Sequence, residues 1–254
     1  MNVPDCYLGV WQRTLLRNAR GEEDRTSRVF WLQTESLHGD IRLPERLPRT
    51  PEQRCSQGGF AGVTRVEAAI CHWHRLLDFH PDSGIDLGRM NFVGTDELHE
   101  TALDGSYLEV WQRLPGSQGQ SEALWLSAEE GERNACLLRA GDFFLFAADR
   151  PQPLEGDGSL AERIADASTT QLEQILAMEL SFGRIDPSGH AWRIELSTLP
   201  WRTGKALLLN PSPATPMREW PAERLLRLGA YPPSVGWRTA VLPLIRMAAE
   251  ETPA

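Results

Sequence analysis

The sequence predicts an all-β chain: an antiparallel β-barrel built from two repeated β-rich halves, with a short, partly helical C-terminal tail. Three observations carry this. Short runs of period-2 alternation recur at roughly 8–12 residue spacing, as barrels and sandwiches require. Turn chemistry separates them, as in Asn18-Ala19-Arg20-Gly21, Leu103-Asp104-Gly105 and Asp186-Pro187-Ser188-Gly189. A heptapeptide near the N-terminus also returns one hundred residues later.

Taken in order, strands are expected at 7–16, 28–34, 37–43, 60–67, 69–79, 86–93 and 107–113, with a long Pro-rich loop at 44–57. Further strands are expected at 122–127, 134–139, 143–147, 178–184 and 191–196. In the last, Trp192, Ile194 and Leu196 face one way and Arg193 and Glu195 the other. The run Phe143-Phe144-Leu145-Phe146-Ala147 is apolar on both faces, so it predicts a strand covered on both sides. A short helical turn is expected at 159–164. For 169–180, the alternation of Leu176, Met178 and Leu180 favours a strand starting near Gln174 over a helix. Soon after Lys205, Pro211, Pro213, Pro216 and Pro221 break the chain, and short helices are then expected at 223–228 and 240–249. The expected units are a first half at 1–104, a second half at 105–204 and the tail at 205–254.

The repeat is specific. Tyr7-Leu8-Gly9-Val10-Trp11-Gln12-Arg13 returns as Tyr107-Leu108-Glu109-Val110-Trp111-Gln112-Arg113, identical at six of seven positions. A second echo follows each copy in the same order, Val29-Phe30-Trp31-Leu32 and Ala123-Leu124-Trp125-Leu126. Alternation puts Tyr107, Glu109, Trp111 and Arg113 on one face, and Tyr7, Trp11 and Arg13 on the matching face of the first copy.

Gly9-Val10-Trp11 on a first strand, followed by a meander, resembles the Gly-x-Trp signature of the calycin superfamily, the lipocalins and fatty-acid-binding proteins. The resemblance implies a barrel closed at one end by Trp11, with Trp111 as its counterpart. It also implies an arginine from a late strand packed over that tryptophan, for which Arg193 and Arg202 are candidates. It implies binding of a small apolar or amphipathic molecule.

Charge narrows the function. The 254 residues carry 26 Lys and Arg against 35 Asp and Glu, a net charge of −9, which argues against a general nucleic-acid binder. No run of 18 apolar residues is present, so no membrane-spanning helix is expected. The N-terminus lacks a basic segment followed by an apolar run, and Cys6, Cys55, Cys71 and Cys136 form no C-x-x-C pair. A cytoplasmic protein with free thiols is expected. No nucleophile elbow, P-loop or dinucleotide motif occurs, and neither cofactor nor metal is expected.

Three pairs repeat an aromatic and a guanidinium two apart: Trp11–Arg13, Trp73–Arg75 and Trp111–Arg113. With Glu109 they form the candidate ligand site, apolar walls over a positive floor that suits an anionic ligand. Trp31 and Trp125 are further candidates to line or close the cavity. Two alternatives remain open. An enzyme on the same scaffold would use Glu109, His72 or His74 as acid–base group. An interaction module would fill its barrel with its own side chains and self-associate through the tail. His72 and His74 share a strand face, expected to be solvent-exposed, and Asp86, Asp96 and Glu97 are expected to be solvated.

Overall fold

The computed structural model describes residues 3–81, 84–128, 133–154, 158–189 and 191–207, with the backbone of two strands further on. A 3-10 turn, Asp5–Tyr7, leads into β1 (Gly9–Asn18). The short β2 (Glu23–Asp24) folds back on its far end. Then come β3 (Arg28–Gln33), β4 (His38–Leu43), the one-turn helix α1 (Pro51–Arg54) and β5 (Gly58–Glu67). The meander continues through β6 (Ile70–Asp78), β7 (Asp86–Phe92), β8 (Glu97–Ala102) and β9 (Tyr107–Arg113). Neighbours pair antiparallel in chain order, and β9 returns to pair with β1. The eight long strands therefore close into an up-and-down barrel, which leaves no open edge.

A second antiparallel sheet follows. It comprises β10 (Ser121–Ala128), β11 (Asn134–Ala140), β12 (Phe143–Ala148), β13 (Glu179–Ile185) and β14 (Trp192–Ser197). Helices α2 (Leu160–Ala165) and α3 (Thr169–Ile175) lie between β12 and β13. Strand β16 (Val235–Thr239) pairs with β10 and carries β15 (Leu226–Leu228) at the sheet's edge.

Alternation sorts the side chains into three cores. Inside the barrel sit Tyr7, Trp11, Trp31, Phe60, Cys71, Trp73, Met90, Leu98 and Trp111. The outward face of the barrel supplies Val10, Leu32, Ile41, Leu43, Leu77 and Phe79. These join Trp125, Leu138, Phe143, Leu145 and Phe182 from the second sheet in one continuous core. The far face of that sheet carries Leu137, Phe144, Phe146, Trp192 and Ile194. β12 is covered on both faces, as its composition predicts. Gly39 sits at the seam because a Cβ there would come 2.5 Å from a methyl of Leu145. Two arginines pin the seam's edge. Arg150 donates to the carbonyls of Ile175, Asp78 and Phe79, and Arg54 donates to that of Leu176.

Four expectations need correction. The echoed heptapeptides do not start two separate units: they are neighbours, paired Trp11↔Arg113, Gln12↔Gln112 and Arg13↔Trp111. The sheet changes between Arg113 and Ser121, so a boundary at 104/105 would cut off the strand that closes the barrel. Residues 169–175 are helical, because Ser168 and Gln171 cap each other reciprocally and outweigh the short alternation that follows. In the tail, residues 226–228 form a strand, held by pairing with β16 that local periodicity does not reveal. The helix expected at 240–249 lies outside the described residues.

Candidate functional site at the two ends of the barrel

One end of the barrel is plugged. Trp11 is fully buried and stacks on Trp31, with centroids 6.4 Å apart. Its indole N–H donates to the carbonyl of Tyr7 at 2.8 Å. The Arg113 guanidinium lies 4.2 Å over the Trp11 ring. Arg113 also donates to the carbonyls of Leu8, Cys6 and Thr95 and to Asp96 at 3.1 Å. It thereby ties the N-terminal segment to the β7–β8 turn. Gly9 lies here with φ of +121°, and a Cβ would meet Ser117 Oγ at 3.0 Å. The arginine over the tryptophan is thus neither Arg193 nor Arg202. Closure of β9 onto β1 sets Arg113 opposite Trp11, whereas Arg202 bonds Glu179 in the second sheet. Trp11 and Arg113, both buried, close this end.

The other end is a small cup. Trp31, Phe60, Trp73 and Trp111 wall it, Asp40, Asp86 and Glu100 supply carboxylates, and Arg42 stands at the rim. Its free volume is about 10 Å³, on the scale of one water. Trp31 is the hub, edge-on to Trp73 at 5.6 Å and to Trp111 at 6.1 Å.

Each arginine expected to meet an anion is already engaged. Arg13 bonds Glu109 at 2.6 Å and Asp24 at 3.1 Å. Arg75 bonds Asp86 at 2.6 Å and Asp78 at 3.1 Å, and lies 3.9 Å over the Phe60 ring. Arg42 bonds Asp40 at 2.7 Å while 38 % of its side chain stays exposed. These pairings remove the positive floor that would suit an anion. Glu100, opposite Glu109 across the β8–β9 ladder, is only 5 % exposed. It accepts from the Tyr107 hydroxyl at 2.8 Å and the Trp111 indole at 3.1 Å, both neutral donors. Burial first, and the neighbouring Glu109 second, push its carboxyl up to about 8. Burial also raises Asp40 against the pull of Arg42, and Glu109 against Arg42 and Arg13.

A third polar cluster lines the interior nearer the plug. Trp31 and Thr64 both donate to Gln33 Oε1, at 3.2 and 2.7 Å. Thr64 has one proton to give, so His38 Nδ1 is the donor across their 3.0 Å contact. Burial holds His38 neutral, with its pKa lowered to about 3.

Of the expected site residues, Arg13, Trp73, Arg75, Glu109 and Trp111 come together around or beside the cup. Trp11 and Arg113 lie at the opposite, closed end. Trp125 packs between the barrel and the second sheet. Asp86, expected to be solvated, lines the cup. His72 and His74 stack on the outer surface with ring centroids 6.3 Å apart. Among the described residues, no three His, Cys, Asp or Glu side chains converge as metal ligands. Asp40, Arg42 and Glu100 were not anticipated. The available signal was alternation, which groups His38, Asp40 and Arg42 opposite the apolar Gly39, Ile41 and Leu43.

An eight-stranded up-and-down barrel, with Gly-x-Trp on its first strand beneath an arginine of its last, decides the architecture. The barrel is calycin-like. No family model and no curated protein matches the chain. Among solved structures, the chain is similar to the uncharacterized protein YLR301w from Saccharomyces cerevisiae. The TM-score is 0.61 at 10 % identity, covering 91 % of this chain and 97 % of that one. A lipocalin-like protein from Bacteroides uniformis also matches, with TM-score 0.33 and 14 % identity, over 43 % of this chain and 99 % of that one. The likeness to the yeast protein extends across both sheets and shows the fold alone.

Proposed function

We propose that this calycin-like chain is a binding protein whose ligand docks by a polar head at the charged cup, rather than an apolar carrier. The observation that carries this is the cup's composition: four aromatic side chains and three carboxylates around a space of about 10 Å³. A long apolar chain finds no cavity in this barrel, because Trp11, Trp31, Trp73 and Trp111 fill it. A ligand head can enter at the rim, where Arg42 is the exposed side chain. Small-molecule sites commonly combine apolar walls with a few convergent polar groups, as here. An enzyme reading is less favoured, since Glu109 is tied to Arg13 and His72 and His74 lie outside the barrel. The four cysteines are all free, which supports a reducing, cytoplasmic setting, and no helix among the described residues is long and apolar enough to cross a membrane.

The small free volume also favours a second reading, a filled-barrel interaction module that self-associates. Native mass spectrometry of the full chain, beside a denatured sample, separates the two. A discrete adduct lost on denaturation is expected of the binding protein. An apo dimer or higher oligomer, with no adduct and no small-molecule response, would overturn binding in favour of the interaction module.

A further inference from the structure

The charge balance of the cup specifies its ligand class. Arg13, Arg42 and Arg75 each already face a carboxylate at 2.6–2.7 Å. Glu100 faces none of them within salt-bridge distance, and its two hydrogen bonds come from neutral donors. The cup therefore lacks one positive charge. Either a proton on Glu100 or a bound cation supplies it.

Size and donor count decide which cation. The free space suits a group the size of one water, and an –NH3⁺ head is of that size. Such a head has three N–H donors and no acceptor, and Asp40, Asp86 and Glu100 offer only acceptors when ionised. Trp31 and Trp73 also line this space, and an aromatic ring adds attraction for a cation that meets its face. A carboxylate or phosphate head would meet three carboxylates instead. A metal ion would need ligands that converge, and none do among the described residues.

Resting on the proposal that the cup is the binding site, we propose that it takes the primary ammonium group of a small organic amine. The nitrogen lodges against Glu100, the carboxylate with no arginine, while Asp40 and Asp86 line the same cup, and the carbon stem leaves past Arg42. Entry of the ammonium releases the proton from Glu100, so charge is conserved: one cation enters the cup and one proton leaves.

The experiment is a titration of the full chain followed by tryptophan emission, using four probes: n-butylammonium, tetramethylammonium, n-butanol and butyrate. The expected result is that n-butylammonium binds about tenfold or more tightly than each of the others. Glu100→Gln, confirmed as folded by its circular dichroism, should lose that preference. Tighter binding of butanol, butyrate or tetramethylammonium would overturn the ammonium assignment while leaving the cup as a binding site. No response to any probe would overturn both. A lysine side chain is the other source of the same head. Nα-acetyllysine amide binding as well as n-butylammonium would assign the head to a peptide, and its exclusion would assign a free amine.

Discussion

The Arg113 guanidinium lies 4.2 Å above the Trp11 indole and holds the carbonyls of Cys6, Leu8 and Thr95. One side chain from the last barrel strand thus caps the tryptophan of the first and binds the segment leading into it. Arg113→Ala removes the donor from all three carbonyls and opens the plug. It should cost roughly 3 kcal/mol in urea denaturation, with Arg113→Lys losing less. Trp11→Ala should cost roughly 3–5 kcal/mol. Because the two side chains touch, the double variant should lose less than the sum. Additive losses would show that they do not act together.

Gly9 makes that plug buildable. With φ of +121° and Ser117 Oγ 3.0 Å from where a Cβ would stand, alanine is strained there by backbone and contact alike. Gly9→Ala should lower stability by roughly 1–3 kcal/mol. An unchanged denaturation midpoint would mean that the β1 entry relaxes freely and that the glycine is not required by the turn into Trp11.

Glu109 and Arg13 bond at 2.6 Å with 6 % and 8 % of their side chains exposed. Removing one partner leaves a buried charge, so Glu109→Gln should cost about 3 kcal/mol, the lower end of the usual range because Arg13 keeps Asp24. Replacing both residues by methionine should recover much of that loss. A double variant as unstable as the single one would show that packing, not charge, sets the cost.

Much of the barrel is legible in the sequence because its strands alternate. Residues Tyr107, Glu109, Trp111 and Arg113 share the inward face as the period of two requires. The seam was hidden for a different reason. Two near-identical heptapeptides read as two separate starts, yet Gln12 and Gln112 pair across the closure, so Trp and Arg oppose each other in both directions. Pairing partners one hundred residues apart carry no local signal. Asp40 and Glu100 escaped notice, and Asp86 read as solvated, because charged residues on a strand normally mark the wet face, and a barrel that turns them inward reverses the rule. The helix at 169–175 was legible after all: Ser168 followed three residues later by Gln171 is a helix-start signal, which the apolar alternation masked.

Glu100 gives the fold a pH dependence. Glu109 and Tyr107 from β9, Asp86 from β7, Arg42 and Asp40 from β4 and Cys71 from β6 are the titratable and charged groups around it. Burial and the neighbouring Glu109 raise its folded pKa to about 8, above the unfolded value of about 4.3. The folded chain therefore holds a proton that the unfolded chain releases between these values. The stabilising contribution is complete below about pH 4 and is lost as pH rises through about 8. Glu100→Gln keeps the shape without the titration. Its stability relative to the wild type should rise as pH climbs from about 4 to about 8 and level off above that. Parallel profiles for the two proteins would show that Glu100 is not the titrating group.

The barrel and the second sheet share one apolar core, so they should unfold together. Arg150 reinforces that union with hydrogen bonds of 2.6, 3.1 and 2.6 Å to Ile175, Asp78 and Phe79, reaching both sides of the seam. Arg150→Ala removes the donor from one buried and two half-buried carbonyls at the edge but leaves the stacked Phe30, Phe182 and Phe143 in place. It should lower stability by roughly 2–3 kcal/mol while keeping a single transition by circular dichroism and by tryptophan emission. Trp11, Trp31, Trp73 and Trp111 sit inside the barrel while Trp125 and Trp192 sit in the second sheet, so emission, like ellipticity, reports on both sheets. Two separated transitions in this variant would mean that Arg150, rather than the shared apolar face, makes the two sheets one cooperative unit.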